Sequence, residues 1–262
     1  MDVFVWKEIL VKKNTIRLEL NIHYFWIAGC LLLLALPLRA QYAMGTTGLL
    51  NIPSADMQPD GTFMAGANYL PRQLLADEWG YNTGNYFVNM TFLPFLEVAY
   101  RCTFLRGEFK DGNKLQQDRS VSVRLRPLKE GTWWPSIAVG SNDVFTTGNL
   151  NPFSEENGNR FFSSVYAVAT KHLLLNGHDI GFTFGGNIPF RKDSYKQGLF
   201  GGITYSPAFL PPVRLMVEYD TTDAVNIGVA ARLFNHFSLY AFCHDFKAVS
   251  AGVRYEIQLI KR

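Results

Sequence analysis

From about residue 84 to the C-terminus the chain is a succession of short segments in which apolar and polar residues alternate. Val213, Leu215, Val217 and Tyr219 interleave with Arg214, Met216, Glu218 and Asp220. Val225, Ile227, Val229, Ala231 and Leu233 interleave with Asn226, Gly228, Ala230 and Arg232, and Val249, Ala251, Val253, Tyr255 and Ile257 with Ser250, Gly252, Arg254, Glu256 and Gln258. A repeat of two is the repeat of a strand, so each segment has one apolar and one polar face. The polar face holds arginines and glutamates, which a dry interior accepts only when paired. The apolar face is large and aromatic, and in water it would drive aggregation. Any fold must give these two faces two different surroundings.

Strands are expected at 62–70, 84–93, 96–105, 119–126, 134–141, 161–174, 179–187, 197–206, 213–220, 224–234, 237–244 and 248–259. Turn chemistry separates them: Pro59-Asp60-Gly61 before the first, Pro94-Phe95, and Asn176-Gly177, a strong two-residue hairpin signal. Longer links are expected at 106–118, 143–159 and 188–196. About twelve strands, with no convincing helical period and no linker, predict an all-β, antiparallel transmembrane barrel over 62–262, with 41–61 as a lead-in segment.

Residues 25–38 form an apolar run preceded by basic residues and followed by Arg39-Ala40-Gln41, which predicts a signal peptide over 1–40 cleaved after Ala40. The run is shorter than the ~20 residues that a spanning helix needs. Ile27-Ala28-Gly29-Cys30 resembles a lipidation motif, but the apolar residues continue beyond Cys30. An uncleaved anchor is a further alternative. Residues 1–40 carry five basic and three acidic residues, leaving 20 of the 25 basic and 19 of the 22 acidic ones in the remainder, a balance without a nucleic-acid footprint. Cys102 and Cys243 are read as isolated apolar thiols.

An exported chain of this pattern is either a soluble sandwich or an outer-membrane barrel of a double-membraned bacterium. Three features favour the barrel. With Val, Leu and Tyr facing lipid, the lumen receives Glu97, Arg101, Arg124, Arg126, Arg214, Glu218, Arg232, Arg254 and Glu256, of both signs. Ala99, Gly181, Gly185, Gly228, Ala230 and Gly252 share that face and make room for the long side chains. Tyr86, Phe92, Phe104, Phe182, Phe209, Tyr219, Phe234, Phe237 and Tyr255 fall near strand ends, where rings suit a headgroup zone. The C-terminal Ile260-Lys261-Arg262 departs from the aromatic ending of many such barrels.

No catalytic residue, metal site or cofactor is expected. The five histidines show no metal-ligand spacing, and the glycine pairs at 185–186 and 201–202 precede no helix. His244, Asp245 and Ser250 are the remote candidates for a lipid-hydrolase triad.

Gly45-Thr46-Thr47-Gly48-Leu49-Leu50-Asn51-Ile52-Pro53-Ser54-Ala55 followed by Asp60-Gly61 resembles the opening of YjbH-type outer-membrane proteins. Val139-Gly140-Ser141-Asn142-Asp143, Phe162 to Lys171, Gly198 to Tyr205 and Val217-Glu218-Tyr219-Asp220 are similar to later parts of that family, in the same order. The resemblance implies a porin-like or accessory barrel in exopolysaccharide or capsule assembly or export, with outer-membrane lipid as its surroundings and polysaccharide or export proteins as partners. The family's usual members are far longer, and it offers no catalytic residues to carry over. The alternative is a plugged structural or binding barrel that recruits a partner through loop 143–159.

Overall fold

In the computed structural model, residues 43–75, 79–109, 112–147, 162–189 and 196–260 are described. The predicted signal peptide and Cys30 lie outside them. Twelve strands are found among the described residues: β1 (Thr62–Leu70), β2 (Thr83–Phe92), β3 (Leu96–Phe109), β4 (Gly112–Leu128), β5 (Ser136–Thr146), β6 (Ser164–Leu175), β7 (His178–Pro189), β8 (Gly198–Ser206), β9 (Val213–Tyr219), β10 (Val225–Leu233), β11 (Phe237–His244) and β12 (Ala248–Gln258). Each pairs antiparallel with its sequence neighbours, and β1 pairs with β12, closing the sheet into a barrel. Closure removes the exposed edges that an open sheet of this size would present.

The register follows the alternation. Val229 lies opposite Leu215 and Ala241, Ala230 opposite Arg214 and Tyr240, so like faces share a side of the wall. The turns are those the residues favour. Asn176 and Gly177 both take positive φ (50° and 84°), the conformation of a tight hairpin whose twist matches its strands. Gly61 sits at φ 72°, and the Thr62 amide donates to the Pro59 carbonyl at 3.2 Å, closing the turn into β1.

The barrel has two unlike rims. Short turns at 93–95, 176–177, 207–212 and 234–236 share one rim with 129–135, the start of β1 and the end of β12. The ends of β1, β3, β5, β7, β9 and β11 lie at the other rim, with the turns 220–224 and 245–247. The structure corrects one expected loop. Segment 106–118 is not irregular but continues β3 and β4 as a ribbon, with Arg106 opposite Leu115 and Phe109 opposite Gly112. Loop 143–159 begins as the end of β5, and 148–161 lies outside the described residues.

The outer face is apolar. Val88, Val98, Val139, Val165, Ile203, Val217, Ile227, Val229, Leu239 and Val253 are exposed along the middle of the wall. Phe92, Phe95, Trp133, Trp134, Phe209, Phe234, Phe237 and Tyr255 ring the turn rim, and Tyr69, Tyr86, Phe145, Tyr219 and Phe246 the loop rim. Phe182 sits further in, beside Phe184. An apolar band between two aromatic girdles is the surface of a bilayer-spanning barrel.

Candidate functional site

The inward side chains of the wall do not face open water. Residues 43–58 leave the turn rim, fold back on themselves inside the barrel and are buried along almost their whole length. This plug has its own tight turn: Gly48 bridges Pro53, the Leu49 amide donates to the Ile52 carbonyl at 2.9 Å, and the Ala43 amide to the Leu50 carbonyl at 3.2 Å. Met44, Leu49, Leu50 and Ile52 share an apolar cluster with the inward Tyr166, Phe200, Met216 and Phe242.

Polar wall residues satisfy the plug backbone. Glu97 accepts the Thr47 amide at 2.9 Å and its hydroxyl at 3.0 Å. Arg124 ion-pairs with Glu97 and donates to the carbonyls of Thr47 (2.6 Å), Ser54 (2.7 Å) and Asp56. Glu218 accepts the amides of Leu50 at 2.9 Å and Asn51 at 2.6 Å. Thr170 accepts the Ala55 amide at 2.8 Å, and Ser136 donates to the Ala55 carbonyl at 3.0 Å. Asn68 and Asn85 donate to the Ala43 carbonyl, and Asn89 donates to that of Gly45. Buried carbonyls and amides left without partners would each cost about 1–3 kcal/mol, so this set makes the plug tolerable inside the wall.

Two glycines admit the plug by close approach. A Cβ on Gly202 would lie 2.5 Å from Leu49 Cδ2, and one on Gly228 would lie 2.8 Å from Leu50 Cδ2. The expected role of the small inward residues is therefore revised. Gly228 yields space to the plug and to Phe242, Gly185 to Phe200, and Gly252 to Tyr240 and Asn68, not to long charged side chains.

Of the nine expected lumen residues, Glu97, Arg101, Arg124, Arg214, Glu218, Arg232 and Arg254 are buried inside. They form separate ion-pair groups. Arg101 bonds both oxygens of Asp143 at 2.9 Å, and its guanidinium lies 4.4 Å from the centre of the Phe162 ring. Arg232 pairs with Glu256, and Arg254 Nη2 lies 3.6 Å from the same carboxylate, close to the turn-side mouth. Arg214 is 3.7 Å from Asp179, whose carboxylate also meets His172 at 2.7 Å; His172 reaches plug residue Asp56 at 3.1 Å. Arg126 is the exception. It sits at the turn rim and donates to the Pro94 carbonyl at 2.7 Å, because the β4–β5 register shifts beyond Leu125.

The loop-side mouth is covered from above. Leu70, Leu74 and Leu75, around the short 3-10 turn Arg72–Leu74, join the same cluster as Ala43 and Met44. Lys196, from the link before β8, is buried and donates to Asn51 Oδ1 at 3.3 Å, while Asn51 Nδ2 donates to Asp220 at 2.7 Å. Burial pushes the Lys196 ammonium below its ordinary range. Burial would raise Asp220, but the Lys196 charge and hydrogen bonds from Thr222 and Asn51 outweigh it and hold the carboxyl below its usual range.

The remote triad does not assemble. Ser250 donates to the Tyr69 carbonyl at 2.6 Å, His244 Nδ1 meets Asn226 Oδ1 at 2.7 Å, and Asp245 pairs with Lys247. Cys102 and Cys243 are free thiols. Among the described residues, no three of His, Cys, Asp and Glu are grouped to hold a metal ion. The sequence reading passed over Asn68, Asn85, Asn89, Asp143, Thr170, Lys196 and Asp220. The strand residues among them carried a usable signal, being polar at inward positions of the same alternation.

Fold and filling together define a closed antiparallel barrel of the outer-membrane type whose lumen is occupied by its own N-terminal segment. A family model named YjbH, described as exopolysaccharide biosynthesis protein YbjH, matches residues 40–228, and the chain belongs to that family. A curated relative, the uncharacterized lipoprotein YjbH of Escherichia coli K12, is 27% identical over 69% of this chain and 28% of its own length. The chain thus spans little more than a quarter of that relative. Among solved structures, the Acinetobacter baumannii outer-membrane protein Omp33 matches with a TM-score of 0.41 and 11% identity, covering 76% of this chain and 97% of that one. The COG4313 outer-membrane channel of Pseudomonas putida F1 also matches at 0.41 and 11%, covering 79% and 98%.

Proposed function

We propose that this chain sits in the bacterial outer membrane and serves exopolysaccharide assembly as a closed, non-catalytic scaffold, with the turn rim facing the periplasm and the loop rim outside. The carrying observation is the plug: residues 43–58 occupy the lumen through hydrogen bonds to β1, β2, β3, β4, β5, β6 and β9. The family description supports the polysaccharide association. The girdled apolar belt supports the membrane seat, and the long-loop and short-turn asymmetry supports the orientation. Outer-membrane lipid and the polysaccharide-export components are the proposed partners.

The test is complementation of a deletion strain by a variant whose plug is locked to the wall. Ala55→Cys with Ser136→Cys, at the place where the Ser136 hydroxyl already reaches the Ala55 carbonyl at 3.0 Å, in a background with Cys102→Ala and Cys243→Ala, ties the plug to β5. A scaffold restores surface polysaccharide to the level of the same variant kept reduced. A conduit loses it on oxidation, and that loss would refute the closed reading.

A further inference from the structure

A pocket of about 660 Å³ opens on the outside of the loop rim, between residues 71–73, residues 80–82 and the 245–247 turn. Its floor is lipid-facing wall: Tyr69, Val249 and Ala251 all point outward at the end of the apolar belt. Its upper side is polar, with Arg72, Lys247 and Tyr81 in the lining. Charge and grease therefore meet in one cavity, at the height where a bilayer passes from acyl chain to headgroup.

The pocket is held in shape. Leu74 and Leu75 drop into the core and fix the turn that carries Arg72. The Arg72 amide donates to Asn82 Oδ1 at 3.0 Å, pinning these two stretches together. Tyr81 is fixed from the β3 side, where its hydroxyl accepts the Arg106 amide at 2.8 Å and its ring lies 5.2 Å from the Arg106 guanidinium. Lys247 is paired with Asp245, and the Arg72 guanidinium has no ion pair among the described residues. A planar guanidinium facing a cavity is suited to a bidentate bond with phosphate. The exposed Tyr69 presents an apolar ring face with a hydroxyl, as a sugar requires.

We infer that this pocket seats the phosphorylated sugar headgroup of a membrane glycolipid, with the phosphate on Arg72 and Lys247 and an acyl chain along Val249 and Ala251. The inference rests on the membrane seat proposed above but not on the lumen being closed.

Native mass spectrometry of the whole folded protein in detergent tests it, with bis-phosphorylated lipid A, its dephosphorylated form and inorganic phosphate as probes. Folding is confirmed by heat-modifiable migration on a gel. The expected result is binding of the phosphorylated glycolipid that weakens by about tenfold or more, both without the phosphates and in the Arg72→Ala/Lys247→Ala variant. Arg72→Lys and Lys247→Arg, which keep the charge, should retain most of it. Equal retention of the phosphorylated and dephosphorylated forms would overturn the inference, as would an unchanged double alanine variant. Displacement by millimolar inorganic phosphate would also overturn it, by showing an anion site indifferent to lipid. A failure of the closed-lumen reading appears in conductance and leaves these outcomes unmoved.

Discussion

The outer and inner faces of this wall are built from the same strands, one residue out of phase, yet they obey different rules. Outside, any apolar residue of suitable size serves, because lipid adapts to the surface. Inside, the charged residues and asparagines at the plug's height have particular partners on the plug or across the lumen. Glu97 and Arg124 meet Thr47, Ser54 and Asp56, and Glu218 meets Leu50 and Asn51. Substitutions on the two faces should therefore differ in kind.

The largest effect is expected inside. Arg124→Met leaves Glu97 buried and strips three plug carbonyls of their donor. Removing one partner of a buried pair typically costs about 3–5 kcal/mol, to be read from urea unfolding in detergent. Adding Glu97→Gln should recover part of that loss, whereas simple additivity would mean that the two residues act independently.

Outside, Val229→Arg in the middle of the belt should cost about 2–4 kcal/mol in lipid, and the same change at Tyr255 on the rim about 0–1 kcal/mol. Equal costs at the two depths would break the assignment of the belt to a bilayer. Gly228→Val comes next. Its Cβ would lie 2.6 Å from Phe242 Cβ and 2.7 Å from the Ala241 carbonyl as well as against Leu50, and overpacking of this kind costs about 1–3 kcal/mol. The loss should shrink when Leu50→Ala is added.

The smallest effect concerns pH. Asp220 has its folded pKa below the ordinary 3.8, so its contribution is present above that value and lost as pH falls through the lower folded value. Unfolding stability should thus show no Asp220-dependent change between pH 7 and 5. Asp220→Asn should differ from the parent most above pH 4 and converge with it in stronger acid.

The same contrast explains what could be read from sequence. The twelve strands were legible because alternation and turn residues such as Asn176-Gly177 are local signals. The inward set was legible in phase, with Arg126 displaced only because the β4–β5 register shifts where β4 ends. The filling was not legible. Gly45 to Ala55 reads as a family signature and a lead-in, and nothing local indicates that its amides will meet Glu97 and Glu218, 50 and 168 residues downstream. The ribbon at 106–118 was missed because its polar residues lack alternation. It is set by the backbone pairing of β3 with β4.

The most direct test of the plugged lumen is conductance in planar bilayers, comparing the intact barrel with a variant lacking 43–57. The intact protein is predicted to show no steady conductance, and the deleted form is predicted to open stable channels. Steady conductance of equal size in both would contradict the account.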